Sequence, residues 1–373
     1  DLYVDNDKLS DEVRRHLGNG VRVHERGGFE QGLADLSGKS VIADPDNAVA
    51  AIFQALDDAG ATIRAEREPA VLPKAMKNEV EIAGHRAAQE RDGAALVRFL
   101  HWLSIEAPKG GVTELSAAAR LKAFRQETGE LRDLSFDTIS AAGPHAAIPH
   151  YRVSEESSLP LDMDRIYLVD SGGQYADGTT DVTRTIIVGT PTDEMRDRFT
   201  RVLKGHIALA TAIFPKETRG SQLDGFARQY LWQAGLDYGH GTGHGVGSYL
   251  GVHEGPQRIS AANYPGTGWD EPLKAGMILS NEPGYYKGGD YGIRIENLVV
   301  VGEREIEGGE ATMLGFETLT FAPIDRNLIK LDLLTRAERA WVDGYHHDVV
   351  ARIGPQLDEA TAAWLGEVCA PLG

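Results

Sequence analysis

Four acidic residues stand within or beside apolar stretches of the sequence, where an uncompensated carboxylate is energetically costly. Asp170 ends one apolar, β-branched run, and Asp181 follows eleven positions later at the start of another. Glu282 likewise follows an apolar run, and Glu296 stands fourteen positions beyond it, shortly before four consecutive aliphatic residues. Buried charges need ion partners or metal ions. The sequence therefore predicts that these carboxylates surround positive charge.

Simpler interpretations exist for each pair of acids. The segments that carry Asp170 and Asp181 are predicted to form an antiparallel hairpin, which can bring the two carboxylates face to face. A turn at Asp177 would explain that residue alone. Strand alternation places Arg294 and Glu296 on one face, so a structural ion pair on a solvated surface is the alternative there. The aliphatic residues after Glu296 favour burial instead.

A glycine-rich loop between the two acidic pairs carries His240 and His244, and His253 follows within fourteen positions of the first. A lone histidine is more often structural than a ligand, but three so close together favour a site. Neither a dinucleotide-binding nor a phosphate-binding glycine pattern can be threaded through this segment. The sequence contains neither a nucleophilic-serine elbow nor a paired-histidine zinc helix. Four carboxylates and an imidazole suit two divalent cations about 3.5–4 Å apart, with a bridging hydroxide as nucleophile.

These residues resemble the metallopeptidases of the pita-bread fold, which include methionine aminopeptidase, prolidase and aminopeptidase P. That family's ligand pattern falls here on Asp170, Asp181, His244, Glu282 and Glu296. Longer strings are similar to those of the three-domain Xaa-Pro aminopeptidases: Val169-Asp-Ser-Gly-Gly-Gln-Tyr175, His240-Gly-Thr-Gly-His-Gly-Val-Gly247, Val252-His-Glu-Gly-Pro256 and Asn281-Glu-Pro-Gly-Tyr-Tyr286. The resemblance implies an α+β fold, in which a pita-bread (creatinase/aminopeptidase) catalytic domain follows part of a smaller α/β domain.

The resemblance further implies hydrolysis of the bond between an N-terminal residue and a following proline, in peptides with proline in second position. Asp170 would bind one metal ion, and His244 with Glu282 would bind the other. Asp181 and Glu296 would bridge the two ions, whose bridging hydroxide attacks the carbonyl. Glu282 would also shuttle the proton. The family's other site residues fall on His253, which would bind the carbonyl or oxyanion, on His150 and His240 beside the proline pocket, and on Arg294 as support for Glu296.

The same resemblance implies two divalent metal ions, most often Mn²⁺, with Zn²⁺, Co²⁺ or iron also compatible with this ligand set. It implies a homodimer. Within the same fold, the competing hypotheses are a prolidase that acts on Xaa-Pro dipeptides and a methionine aminopeptidase. Two further hypotheses are a metal-free pita-bread binding module and a creatinase-like hydrolase that uses histidine without metal.

Composition narrows the class of protein. The 373 residues carry a formal net charge of −18, which argues against nucleic acid and against anionic membrane surfaces as partners. The sequence shows no uninterrupted apolar run of the ~20 residues that a membrane helix needs. The single cysteine, Cys369, excludes an intrachain disulfide framework and predicts a reducing, cytoplasmic compartment. Because the sequence begins at Asp1, we expect a longer natural protein whose first domain is missing here.

Three regions are predicted to position these groups. Residues 1–75 are expected to form a partial α/β domain with strands at 41–43 and 62–64 and a helix at 48–59. Residues 76–325 are expected to form the catalytic domain, with helices at 78–103, 113–126, 193–213 and 220–234, and 326–373 a C-terminal helical extension. The apolar face of the long helix is predicted to include Val80, Ala83, Ala87, Ala94 and Val97.

Overall fold

The computed structural model describes residues 1–262 and 271–373. The chain divides into two units, Asp1–Val71 and Leu72–Gly373. In the first unit, strands β1 to β4 span Leu2–Tyr3, Val23–His24, Ser40–Ala43 and Thr62–Ala65, and helices α1 to α3 span Asp11–Leu17, Phe29–Ala34 and Ala50–Asp58. The pair β3–β4 is parallel with α3 between its strands, which confirms the predicted strand–helix–strand unit.

The helices of the second unit are α4 (Val71–Ala75, which begins at the division), α5 (Glu79–Glu106), α6 (Glu114–Gln126), α7 (Asp193–Ala210), α8 (Gly220–Trp232), α9 (Arg336–Ile353) and α10 (Glu359–Val368). Its strands are β5 (Asp133–Leu134), β6 (Ile139–Ala142), β7 (Arg165–Ser171), β8 (Gly173–Tyr175), β9 (Gly178–Thr179), β10 (Val182–Val188), β11 (Ile213–Pro215), β12 (Gly243–His244), β13 (Arg258–Ile259), β14 (Ile278–Asn281), β15 (Gly284–Lys287), β16 (Tyr291–Arg294), β17 (Asn297–Arg304) and β18 (Met313–Thr318). No helix among the described residues combines the length and apolar character that crossing a membrane requires.

Two antiparallel sheets, each covered by a pair of helices, form the frame of this unit. One sheet has the strand order β10-β7-β6 and lies with α5 and α6, around a core that includes Phe99, Leu121 and Tyr167. The other has the order β11-β18-β17-β14 and lies with α7 and α8, around Phe214 and Leu279. Each sheet buries one face against helices, which is how an α+β fold closes its core.

Buried polar contacts join the two sheets. Arg184 on β10 is buried, and its guanidinium donates to the backbone oxygen of Glu296 at 2.7 Å and to Oδ1 of Asn297 at 2.8 Å. The hydroxyl of Tyr345 on α9 accepts from the same guanidinium at 2.8 Å. Since a buried guanidinium is stabilised only when its N–H groups have partners, these contacts hold β10 against the start of β17.

The long helix α5 begins as predicted but buries a different face in its first half. Asn78 caps it, since its side chain accepts from the backbone N–H of Glu81, whose carboxylate accepts from Asn78 in return. Val80 is 81% exposed, and Ala83 and Ala87 are exposed too, so the predicted face is wrong there. Ala94 and Val97 are buried as predicted.

Apart from Ala88, the buried residues in the first half of α5 are polar, which explains the error. Gln89 donates to the backbone oxygen of Thr179 at 3.2 Å. Asp92 accepts a bidentate ion pair from Arg125 on α6 at 2.7 and 2.9 Å, and a further hydrogen bond from the hydroxyl of Tyr175 at 2.8 Å. A pattern of apolar positions cannot reveal a helix face that is buried by hydrogen bonds.

Two other local predictions are corrected by strand pairing. Helix α7 ends at Ala210 because Ile213 pairs with Gly315 in β18, so the chain from 211 to 213 is not helical. The strands β7 and β10 do pair, but Asp170 lies opposite Thr183, and Asp181 precedes the first pair. The two acids are therefore offset by two residues instead of standing face to face.

Candidate metal centre

The predicted site residues lie together in one cavity of about 530 Å³. The residues predicted as ligands and the other predicted site residues all line it: Asp170, Asp181, His244, Glu282, Glu296, His150, His240, His253 and Arg294. Asp170 comes from β7, Asp181 directly precedes β10, and His244 comes from β12. Glu282 directly follows β14, and Glu296 directly precedes β17. Both sheets therefore contribute acids to the same cavity.

His244 stands within reach of several carboxylates. One ligand atom each from Asp181, His244 and Glu296 lies within 4.8 Å of the others. The Nε2 atom of His244 is 3.4 Å from Oδ2 of Asp181 and 3.5 Å from Oε1 of Glu282. Its Nδ1 is 2.9 Å from the backbone oxygen of Gly245, so an Nδ1–H tautomer donates there and turns the Nε2 lone pair towards the acids. This is the arrangement of an imidazole metal ligand.

Arg294 forms its ion pair with Asp170, whereas the sequence predicted that it supports Glu296. Its Nη2 is 2.6 Å from Oδ2 of Asp170. Towards Glu296 it acts through Thr183: Arg294 Nε donates to the Thr183 hydroxyl at 3.2 Å, and that hydroxyl donates to Oε2 of Glu296 at 2.6 Å. The other Asp170 oxygen, Oδ1, is buried without a hydrogen-bond partner among the described residues. It is therefore available to a cation.

Burial and mutual repulsion raise the pKa values of three of these acids. The pKa of Asp181 lies well above its usual range because of burial first and then the charges of Asp170 and Glu282. Burial and then the charge of Asp181 do the same to the pKa of Glu296. Burial also raises the pKa of Glu282. Arg294 opposes each rise without cancelling it. The carboxylates thus call for more positive charge, and the donor set fits hard divalent cations.

The three remaining histidines differ in their surroundings. The Nδ1–H of His240 donates to the backbone oxygen of Gly241 at 2.8 Å, and its Nε2 accepts from the hydroxyl of Tyr286 at 2.8 Å. Burial, and then the charge of Arg294, lower the pKa of His240 to about 3, so it stays neutral. The ring of His253 stands edge-on to that of His244 with centroids 4.3 Å apart. His150 is an exposed residue at the edge of the cavity.

The sequence did not predict two residues that support Arg294 and the His240 loop through hydrogen bonds, Tyr286 and Arg228. Tyr286 accepts from Arg294 Nη1 at 2.7 Å while it donates to His240. Arg228 on α8 donates to the backbone oxygens of Tyr238 at 2.7 Å and His240 at 2.6 Å. Tyr286 lies in a string that the resemblance singles out. Arg228 also pairs with Asp224 on its own helix and with Asp237, but its contacts with the His240 loop are to backbone oxygens, which leave no signal in the sequence.

The model of Metallopeptidase family M24 matches residues 83–303, which include the whole cluster of acids. The chain belongs to metallopeptidase family M24. The C-terminal region of M24 peptidases matches residues 312–372, and the creatinase/prolidase N-terminal domain matches residues 1–81. The α+β pita-bread fold predicted from the sequence is confirmed for this M24 chain by these matches and by solved structures.

The relatives of this M24 chain match most or all of its length. A probable Xaa-Pro aminopeptidase P from Laccaria bicolor is 45% identical over 100% of this chain and 59% of its own length. A cytosolic X-prolyl aminopeptidase from Caenorhabditis elegans with a di-nuclear active site is 37% identical, with a TM-score of 0.92 over 99% of this chain and 61% of that one. An X-Pro aminopeptidase from Thermotoga maritima is 27% identical, with a TM-score of 0.70 over 86% and 83%. The M24 chain thus spans about three fifths of the length of its curated relatives.

Proposed function

We propose that this M24 chain is the catalytic part of an Xaa-Pro aminopeptidase, which hydrolyses the peptide bond between an N-terminal residue and a following proline. The single observation that carries the proposal is the convergence of four carboxylates and the His244 imidazole in one cavity. The identity to curated Xaa-Pro aminopeptidases supports the choice of bond. The di-nuclear active site of the Caenorhabditis elegans relative supports a two-ion centre.

We propose how the five ligand residues divide between the two metal ions. Asp170 would hold one ion, His244 and Glu282 the other, and Asp181 and Glu296 both. When bound, the ions supply Lewis-acid activation of the carbonyl and acidify a water. Mn²⁺ is the proposed metal, with Zn²⁺ or Co²⁺ as substitutes, since oxygen ligands dominate the set.

The groups around the ions would act on the substrate. Glu282, whose pKa is raised by burial, would hold and pass on the proton that the leaving proline nitrogen needs. His253 would donate to the scissile carbonyl oxygen as charge develops on it. His150 and His240 would flank the proline ring, and the neutrality of His240 suits an apolar ring. Arg294 would position Asp170 directly and Glu296 through Thr183.

Organisation and setting are further parts of the proposal. Residues 1–75 would be part of an N-terminal α/β domain, 76–325 the catalytic domain and 326–373 a helical extension. We propose a cytoplasmic homodimer that binds neither nucleic acid nor membranes. The net charge of −18 supports the exclusion of nucleic acids and of anionic membranes as partners. The cytosolic Caenorhabditis elegans relative supports the cytoplasmic compartment. Light scattering on the purified chain tests the dimer.

The decisive experiment measures release of the first amino acid from an X-Pro-Y tripeptide. We expect activity that a chelator abolishes and Mn²⁺ restores, with slower or absent turnover of X-Pro dipeptides and Met-Ala peptides. His244→Ala should lose the activity, whereas the exposed control His347→Ala should retain it. Turnover of dipeptides alone would support a prolidase. Activity unaffected by chelation would support metal-independent hydrolysis, and metal binding without turnover of any peptide would support a binding module.

A further inference from the structure

A lysine outside the cavity is buried against the loop that carries His253. The side chain of Lys77, just before α5, is 0% exposed, and its Nζ lies 2.5 Å from Oε1 of Glu254. Glu254 directly follows His253 in the chain. A second lysine, Lys74, lies 3.0 Å from Oε2 of Glu254, but its side chain is 62% exposed. One carboxylate thus has a buried and an exposed partner of the same type.

The loop that carries Glu254 is folded tightly onto the segment after His244. The backbone N–H of Glu254 donates to the oxygen of Gly245 at 2.9 Å, and that of Gly247 donates to the oxygen of Gly251 at 2.9 Å. A Cβ at Gly245 would lie 2.0 Å from the backbone oxygen of Glu254, and one at Gly247 would lie 2.8 Å from its Oε2. The glycines therefore admit Glu254 to a position that any side chain would block.

Lys77 itself is fixed by the segment that leads to Glu282. Its backbone N–H donates to the oxygen of Gly276 at 2.9 Å, and the neighbouring Met76 pairs with Met277 just before β14. Its other neighbour, Asn78, caps α5. The backbone of Lys77 is therefore held between the start of α5 and the segment that leads into β14. A buried ion pair contributes little net stability but fixes a geometry, because moving either charge away leaves the other unpaired.

We propose that the Lys77–Glu254 ion pair positions the imidazole of His253 in the cavity. The assignment rests on the proposed function, in which His253 binds the scissile carbonyl oxygen. Lys77 does not line the cavity, so we assign it as a positioning residue. If Lys77 anchors Glu254, the neighbouring residue His253 is held with its ring against the ring of His244. Without this anchor, Glu254 keeps only the exposed Lys74 as an ion partner, while the other end of the loop stays bound through the hydrogen bond from Val246 N–H to the Ile278 oxygen.

The first test is independent of catalysis. Amide hydrogen exchange of residues 245–254 is measured in the chelator-treated full chain, for Lys77→Met and for the matched control Lys74→Met. We expect exchange at least tenfold faster in Lys77→Met and within twofold of the unmodified chain in Lys74→Met. Equal protection in both variants would overturn the proposal. If Lys77→Met does not fold, Glu254→Gln, which keeps an acceptor for Lys77 without the charge, takes its place.

The second test asks whether the effect passes through His253. We expect Lys77→Met to lower kcat about tenfold or more on an X-Pro-Y peptide, with KM and bound metal within twofold. In a His253→Ala background the same substitution should cost less than twofold, because its target is gone. Equal losses in both backgrounds, or unchanged kcat despite faster exchange, would reduce the pair to a structural role and overturn the proposal. An inactive unmodified chain would instead refute the proposed function, and hydrogen exchange alone would then decide the anchoring of the loop.

Discussion

Arg294 Nη2 lies 2.6 Å from Asp170 Oδ2, and both side chains are buried beside three further carboxylates. This contact gives the acids a permanent counter-charge within the protein. Because a buried carboxylate with no partner is strongly destabilising, we expect Arg294 to stabilise Asp170 when no metal ion is bound. The acids still repel one another, as the raised pKa values of Asp181 and Glu296 show.

Removal of this counter-charge should destabilise the metal-free protein. Arg294→Met leaves Asp170 buried without its ion partner, and we expect the free energy of unfolding to fall by about 3–5 kcal/mol. Urea unfolding in the presence of chelator measures it. Arg165→Met is the control, because Arg165 is largely exposed and 3.8 Å from Asp290, and its loss should cost less than about 1 kcal/mol. Equal effects of both substitutions would contradict this account of the cluster.

Binding of divalent cations should release protons. Since burial and repulsion raise the pKa values of Asp181, Glu282 and Glu296, these groups retain protons to a higher pH than ordinary carboxyl groups do, and a bound cation must displace them. The affinity should therefore fall as the pH is lowered from 7.5 to 5.5. Calorimetry with Mn²⁺ in two buffers of different ionisation enthalpy counts the protons released.

The matched variant for this measurement is Glu296→Gln, which removes one titrating acid and one proposed shared ligand. It should bind less than two equivalents of Mn²⁺ and release fewer protons per ion. If the number of protons released is unchanged, Glu296 is not one of the groups that lose a proton when the cation binds.

The loop with His240 should depend on Arg228. This guanidinium stacks on the ring of Tyr238 with its central carbon 3.9 Å from the centroid, and it donates to the backbone oxygens of Tyr238 and His240. Arg228→Met leaves both oxygens unpaired, so His240 should shift beside the proposed proline pocket. We expect KM for an X-Pro-Y peptide to rise about tenfold with bound metal unchanged. The exposed Lys216→Met serves as control, and a KM equal to that of the control would exclude this role for Arg228.

Acid should destabilise the fold through His346. Its Nε2 accepts from the backbone N–H of Ile324 at 3.1 Å, and burial lowers its pKa to about 4. The unfolded chain binds a proton at about pH 6.5 and the folded chain does not, so stability is complete above that pH and declines as the pH falls towards 4. At pH 5 the loss from this residue should be about 2 kcal/mol.

Unfolding measured from pH 7 to pH 4.5 tests this directly. His346→Gln keeps an acceptor but cannot titrate, so its stability should fall less steeply with acid. The neighbouring His347, with a side chain that is 81% exposed, provides the control His347→Gln. If both variants show the same pH dependence as the unmodified chain, His346 does not cause the acid sensitivity.

Local features of the chain follow from the sequence. The caps of α5 and α9 depend on residues three positions apart, Asn78 with Glu81 and Thr335 with Glu338, and both capping boxes form. The acids in apolar strands and the histidines in a glycine-rich loop are recognisable because a charge in an apolar run is anomalous wherever the run folds. All of them do line one cavity.

Contacts between distant segments were decided only by the tertiary structure. Asp170 stands opposite Thr183 because of the register between β7 and β10, and Arg294 pairs with Asp170 across 124 positions. Lys77 likewise pairs with Glu254, which lies 177 positions further along the chain. Local rules act over three or four residues, whereas these pairs depend on how sheets and helices pack. The residue types in the sequence therefore determined the chemistry of this protein. The packing of sheets and helices decided which side chains form ion pairs and hydrogen bonds with one another.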